Sequence, residues 1–147
     1  MHSESGFTLI ELLVAMAIIG ILYATSVTSY GVYTQKAAYH VLLKTMHDAQ
    51  VAYETGVSDI DNPPTSVSFT QTNQGGITNA TGQDLFVGMM LPKNVRFSAL
   101  YDQGCAAAGC TEGTIILSHC NASESLIWTR FGDGTSLLLE NVPGGGC

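Results

Sequence analysis

Charged side chains are scarce in this chain of 147 residues. Asp, Glu, Lys and Arg make up 12% of the sequence, well below the roughly 25% of an ordinary globular domain. Many positions must therefore be buried, in lipid, or in contact with other subunits. Basic residues are the scarcest, since five Lys and Arg against twelve Asp and Glu give a formal net charge of −7. This balance argues against a mainly electrostatic nucleic-acid binder, because phosphate contacts need clustered Lys and Arg.

The usual signatures of catalysis and metal binding are also missing from the sequence. No nucleophile with a base, no phosphate-binding loop and no paired catalytic acids stand out. The stretch "DIDN" at 59–62 begins like a calcium loop, but Pro63 and Pro64 interrupt the pattern and the distal Glu is absent. We therefore expect no enzyme activity, no cofactor and no metal site. A membrane-tethered enzyme is kept as the alternative from a different functional class.

No CxxC pair occurs among the four cysteines, which all lie in the last third of the chain: Cys105, Cys110, Cys120 and Cys147. An even number of cysteines in an exported protein predicts two disulfides. A four-thiolate zinc site is the competing interpretation, but its short paired spacing is missing.

Long uninterrupted apolar sequence is confined to the beginning of the chain. Residues 12–35 carry no charged side chain, and a bilayer-spanning helix needs about 20 residues. The strongly apolar part, 12–24, is shorter, and Ser and Thr dilute the residues after it. The segment can enter a membrane, but it is not an ideal permanent anchor.

The next part of the chain has the pattern of an amphipathic helix. Apolar residues recur at spacings of three and four, at Ala38, Leu42, Met46, Ala49 and Tyr53. Nothing after Phe7 forces a stop before Gly56, which is a plausible helix end. One helix over 7–55 would be roughly 70 Å long at 1.5 Å per residue. A domain this small cannot bury such a helix, so its N-terminal half needs another partner.

The rest of the chain predicts a loop followed by strands. Residues 56–83 are rich in Pro, Gly, Ser, Thr and Asn, which indicates a long connection. Four segments then have strand patterns: 94–101, 114–120, 125–131 and 135–142. The last two flank "GDG", a hairpin signal. We predict an α+β fold in which the long N-terminal helix packs on a four-stranded antiparallel meander.

The expected meander also favours one pairing of the cysteines, although three are possible. Cys105 and Cys110 share one loop and can close it locally. The end of the fourth strand lies near the start of the third, which places Cys147 near Cys120.

The first residues fit neither a secretory signal peptide nor a plain anchor. The leader "MHSESG" has no Lys or Arg and no clean cleavage site follows the apolar run. A plain anchor does not explain Glu11. The stretch "GFTLIELL" at 6–13 resembles the class III leader junction of type IV pilins and related pseudopilins.

This resemblance implies how the chain is processed and divided. A prepilin peptidase would cut after Gly6 and methylate the new amino terminus, Phe7. Residues 1–6 would be the leader, 7–55 the helix, with 7–29 in the membrane or filament core, and 56–147 the head domain. Glu11 would meet the amine of a neighbouring subunit, or that of its own chain.

The resemblance also implies a function. The protein would be the structural subunit of a type IV pilus or a pilus-like filament, assembled with copies of itself by an inner-membrane platform. It would lie in the inner membrane first and then in an extracellular filament, whose surface would set properties such as adhesion or aggregation. The alternative is a pseudopilin or minor pilin of a type II secretion or DNA-uptake system. Thr28 stands where many major pilins carry a helix-kinking proline, with Thr25, Ser26, Ser29 and Gly31 nearby. We predict that this Ser, Thr and Gly patch is where the helix loosens in the filament, within 20–31.

Overall fold

The structure is a computed structural model of the chain, and it describes residues 7–58, 66–105 and 107–143. The chain divides into two compact units, Met1–Thr34 and Gln35–Cys147. Helix α1, Leu9–Val57, contributes residues to both units. The first unit is helical from Leu9 onward. The second unit contains the rest of α1 and all the other helices and strands.

Helix α1 is continuous over 49 residues, as the uninterrupted helical pattern predicts. It ends at Val57, so the expectation that Gly56 stops the helix was wrong. Gly56 is instead buried inside the last turn, where any Cβ would collide with the backbone carbonyl of Leu85. The glycine is required because the following short helix approaches α1 too closely for a side chain.

The second unit contains a five-stranded antiparallel sheet, a two-stranded ribbon and a short helix. In chain order these elements are β1 Val67–Gln71, β2 Gly75–Gly76, α2 Ala80–Leu85, β3 Met90–Leu91, β4 Val95–Tyr101, β5 Thr111–His119, β6 Glu124–Phe131 and β7 Ser136–Pro143. The large sheet has the strand order β1-β4-β5-β6-β7, and β2 pairs with β3. Strands β4 to β7 form the meander that the sequence predicts.

The α+β fold is therefore confirmed, but the strand count was wrong. Residues 56–83 were expected to be a loop, yet they contain β1, β2 and the first four residues of α2. Strand β1 adds a fifth strand by pairing antiparallel with β4, with Phe69 opposite Ala99. Helix α2 begins where the side chain of Asn79 accepts a hydrogen bond from the Gly82 amide, which satisfies a free donor at the helix start.

The core lies between the amphipathic part of α1 and the inner face of the sheet. All five residues predicted to form the helix face are buried: Ala38, Leu42, Met46, Ala49 and Tyr53. They join one cluster with inward residues of the sheet such as Phe97, Ile115, Leu117 and Trp128. The Tyr53 ring packs edge-on against Trp128, with ring centroids 5.1 Å apart. Each large apolar side chain buried in this way contributes about 1.5–3 kcal/mol.

The hairpin between β6 and β7 forms at the predicted "GDG" signal. Gly134 has a φ of 83°, a left-handed conformation that glycine adopts without steric cost. The carboxylate of Asp133 accepts a hydrogen bond of 2.9 Å from the Thr135 amide. This turn sets the register of β7 against β6.

Candidate functional site at the amino terminus

The predicted processing site lies at the boundary of the described chain. Gly6 lies outside the described residues, so its predicted role stays a prediction. Phe7 is described, and 85% of its surface is exposed. Phe7 and Thr8 precede the first turn of α1, which contains Glu11.

Thr8 and Glu11 form a reciprocal cap at the start of α1. The Thr8 amide donates to Oε2 of Glu11 over 2.9 Å, and the Thr8 hydroxyl donates to the same oxygen over 2.8 Å. In return, the Glu11 amide lies 3.4 Å from the Thr8 hydroxyl oxygen. This is the capping-box arrangement, in which two backbone donors without helical partners are satisfied by side chains. It explains why the helix begins at Leu9.

The cap gives the Glu11 carboxylate a defined place. The carboxylate lies at the positive end of the helix dipole, where a negative charge is stabilised. It also contacts the amide that directly follows Phe7. In the described part of the chain, every hydrogen bond of this carboxylate uses Oε2. The other oxygen, Oε1, accepts no hydrogen bond from the residues that the structure describes.

The site is surrounded by apolar side chains that no other part of the described chain covers. Large apolar residues are exposed on every side of the helix from Phe7 to Tyr33, and Leu9 and Ile10 are 88% and 72% exposed. By length and composition alone, α1 could cross a membrane, since its most apolar window has a mean hydropathy of 2.1. A helix that is apolar all round needs lipid or other protein around it.

The Ser and Thr patch behind this segment does not interrupt the helix in a single chain. The hydroxyls of Thr25 and Ser26 both donate to the Leu22 carbonyl, over 3.0 and 2.8 Å. Thr28 and Ser29 make the same kind of bond to the Thr25 carbonyl. Such bonds satisfy the hydroxyls within the helix and are associated with slight bending. Loosening in a filament, predicted within 20–31, stays a prediction.

One disulfide closes the loop between β4 and β5. Cys105 is bonded to Cys110, and their Cα atoms are 5.7 Å apart. The loop rests on the β6–β7 turn, because the Gly132 amide donates to the Cys110 carbonyl over 3.0 Å. A Cβ at Gly132 would lie 2.8 Å from the Cys105 carbonyl oxygen. Position 132 therefore has room only for glycine.

The second predicted pair, Cys120 with Cys147, cannot be placed in the same way. Cys147 lies outside the described residues, so the pairing stays a prediction. The observed register puts Pro143 opposite Glu124. The last described residue is therefore beside the β5–β6 turn, as the meander predicts.

An ion-pair network joins α1 to the sheet, and sequence reasoning missed it. The Arg130 guanidinium on β6 contacts the carboxylates of Glu54 on α1 and Glu112 on β5. Its Nε lies 3.0 Å from Oε2 of Glu112. Arg130 and Glu112 are largely shielded, with 19% and 15% of their side chains exposed. No local sequence pattern predicts contacts between positions so far apart in the chain.

The Thr8–Glu11 cap was missed as well, although the sequence contains its signal. The four residues "TLIE" at 8–11 match the capping-box pattern of Thr followed three residues later by Glu. The cap gives Glu11 a partner within its own first turn, in addition to the amine that the leader motif implies.

Comparison with known proteins agrees with this geometry at one end of the chain. Residues 1–24 match the family described as the prokaryotic N-terminal methylation motif. No solved structure matches the chain. The matched segment contains Gly6, Phe7 and the Thr8–Glu11 cap together with the most apolar part of α1. The chain therefore carries a prokaryotic N-terminal methylation motif, the class III leader of type IV pilins.

Proposed function

We propose that the protein is a structural subunit of a type IV pilus or a pilus-like filament. The observation that carries this proposal is the exposed apolar half of α1 with a capped carboxylate at its start, inside a matching leader motif. In the membrane, lipid would cover this half of the helix. In a filament, the same surfaces would pack against the helices of neighbouring subunits, helped by small residues such as Ala15 and Gly20.

The processing step would create the partner of Glu11. Cleavage after Gly6 would leave a cationic amine on Phe7, and methylation would keep its charge. A charge inside an apolar filament core is costly alone, and the cost is offset only in a close, hydrogen-bonded pair. Oε1 of the Glu11 carboxylate would accept a hydrogen bond from the amine of a neighbouring subunit. Such a pair would mainly set the stagger between subunits.

The proposed role as a filament subunit also implies the partners and the cellular location of the protein. The partners would be copies of the protein, the prepilin peptidase and an inner-membrane assembly platform. The protein would lie in the inner membrane before assembly and in an extracellular filament afterwards. The head domain would cover the filament surface, where the 56–83 segment and the disulfide region would make lateral contacts and set surface properties such as adhesion or aggregation. We propose no enzymatic role.

The test is to image filaments on cells that lack the gene and carry a plasmid copy. The wild-type copy and Asp48→Ala, which removes an exposed carboxylate of α1 in the head, should restore filaments. The Glu11→Ala protein should accumulate in the membrane in its cleaved form. Cells that carry it should show few filaments or none. Normal filament numbers with Glu11→Ala would contradict the assembly role.

The same strains separate the main proposal from its closest alternative. A pseudopilin or minor pilin of a type II secretion or DNA-uptake system would use the same N-terminal mechanics in a short fibre. If the deletion leaves surface filaments intact but abolishes protein secretion or transformation, the alternative is correct.

A further inference from the structure

The sheet has an outer face that no described element covers. Along each strand, alternate residues point to the core, as Ile115 and Leu117 do on β5, both fully buried. The intervening residues lie on the opposite side, which also includes Ser68 and Thr70 on β1 and, beside Arg96, Ser118 and Ser125, which are only 6% exposed. The central part of this side is at least partly exposed and consists of Arg96, Ser98 and Leu100 on β4, Thr114 and Ile116 on β5, Ile127 and Thr129 on β6, and Leu137 and Leu139 on β7. The name "outer face" refers to this set of nine residues.

The middle of the outer face is apolar, although sheets that face water usually alternate apolar-in and polar-out. Ile116 lies directly opposite Ile127 on the next strand, and Ile127 lies opposite Leu139. Ile116 is 39% exposed and Leu139 is 46% exposed. A contiguous apolar patch of this kind marks an interaction surface more often than isolated exposed residues do.

The charges around the outer face suit a second copy of the same chain. Two copies with a net charge of −7 repel each other over most of their surfaces, but the outer face contains no carboxylate. Its one charged member, Arg96, makes no ion pair with any residue that the structure describes. Asp102 follows the other end of β4, where the Gly104 amide holds its exposed carboxylate over 3.0 Å. The outer face therefore has a cation, Arg96, at one end, and an anion, Asp102, lies just beyond its other end.

We propose that two copies of the chain associate through their outer faces, with strands antiparallel, so that Arg96 of each copy meets Asp102 of the partner subunit. A twofold axis across the strands places β4 over β4 and reverses its direction, which brings both charge pairs together at once. The row of Ile116, Ile127 and Leu139 then covers the row of Thr114, Thr129 and Leu137 on the partner. Face-to-face sheets pack about 10 Å apart, close enough for these side chains to interdigitate. The proposal does not depend on filament assembly.

The test measures self-association of the full chain in detergent, which covers the exposed apolar half of α1. Sedimentation across a concentration series should show a reversible dimer for the wild type. Arg96→Glu and Asp102→Lys should each weaken the dimer about tenfold, because symmetry places two like-charge contacts in each variant dimer. The double variant carrying both changes should regain most of the wild-type affinity. Ile116→Glu should leave only monomer.

Two controls keep the result interpretable. Glu11→Ala should dimerise like the wild type, which separates the outer face from helix-mediated assembly. Val87→Glu changes an exposed apolar residue that is not part of the outer face and should also dimerise normally. The fluorescence of Trp128, the single tryptophan of the chain, reports whether each variant is folded.

A monomeric wild type throughout the series, or an Ile116→Glu variant that dimerises like the wild type, would overturn the proposal. A folded double variant as weak as the single ones would overturn the antiparallel arrangement. If Asp102→Lys does not fold, Arg96→Glu and Ile116→Glu still decide the question, since both must lose affinity. None of these outcomes depends on whether filaments form on cells.

Discussion

The carboxylate of Glu11 and the backbone amide of Thr8 are joined by a hydrogen bond of 2.9 Å at the start of helix α1. The charge that makes this segment unusual is therefore in use within a single chain before any neighbour is present. Moving a carboxylate into an apolar environment costs free energy, and this cost is lower for a carboxylate that caps its own helix than for one without hydrogen bonds. In the proposed filament, the cap would hold this carboxylate where the amine of a neighbouring subunit reaches its second oxygen.

Replacing Thr8 tests the cap without removing the charge. Thr8→Ala removes the hydroxyl from the reciprocal bonds and should destabilise the start of α1 by about 1 kcal/mol. The first turn should fray, and the carbon chemical shifts of residues 9–12 in detergent should move toward unfolded values. Thr8→Ser keeps the hydroxyl and should retain wild-type shifts. Unchanged shifts in Thr8→Ala would show that the cap does not hold the helix start.

Removing Arg130 tests the link between α1 and the sheet. Arg130→Met leaves the carboxylates of Glu54 and Glu112 without their cation, and Glu112 is only 15% exposed. The head should lose about 2 kcal/mol of stability, less than for a fully buried pair because Glu54 is half exposed. Thermal unfolding followed by Trp128 fluorescence measures this loss.

The control is Lys93→Met, which removes an exposed cation with no ion pair among the described residues and should change the melting temperature little. An equal melting temperature in Arg130→Met would show that the network does not stabilise the head.

The hydroxyl of Tyr53 is a buried group whose removal should increase the stability of the head, in contrast to the loss expected for Arg130→Met. Tyr53 is fully buried, and its hydroxyl has no hydrogen-bond partner among the described residues. Burial raises the pKa of the phenol, so it stays neutral. Tyr53→Phe should stabilise the head by about 1 kcal/mol, since a buried unpaired hydroxyl costs about that much. Tyr101→Phe is the matched control and should be neutral. A lower melting temperature for Tyr53→Phe would show that the hydroxyl has a partner.

His119 should make the stability of the head depend on pH. The residue is 7% exposed, and burial lowers the pKa of its imidazole. Its Nδ1 also accepts a hydrogen bond from the Asn121 amide, 3.1 Å away, which protonation of that atom would break. The unfolded chain therefore binds the proton more readily, and stability should fall as pH drops below about 6.5.

The matching experiment compares unfolding at about pH 7 and about pH 5. His119→Gln should lose less stability over this interval than the wild type. His47→Gln, which replaces a histidine with 76% of its side chain exposed, should behave like the wild type. An identical pH dependence in wild type and His119→Gln would exclude His119 as the cause.

Local patterns were sufficient to predict α1 and strands β4 to β7. The spacing of Ala38, Leu42 and Met46 identifies the buried helix face, and the alternation along 94–101 identifies β4. Strand β1 was missed because its five residues include Ser and Gln and lie in a polar, glycine-rich region. It exists because β4 offers an unpaired edge, which is a property of the folded sheet and not of the segment itself.

The motif at the amino terminus could be identified from the sequence, but the contacts within it were not predicted. The roles of Gly6, Phe7 and Glu11 stay predictions, and Thr8 could have been found from the capping-box spacing. The role of Gly56 could not, because the carbonyl of Leu85 that excludes a side chain there comes from a helix that was not expected. The contacts of Arg130 likewise depend on the register of β6 against β5.

The central claim is that the chain is cut after Gly6 and exposes Phe7 as the amino terminus that Glu11 of a neighbour receives. The most direct measurement is the intact mass of the protein extracted from the cell envelope, with tandem mass spectrometry of its N-terminal peptide. We expect a chain that begins at Phe7 and carries one methyl group on its amine. A mature chain that retains residues 1–6, or that begins at another residue, would contradict the claim.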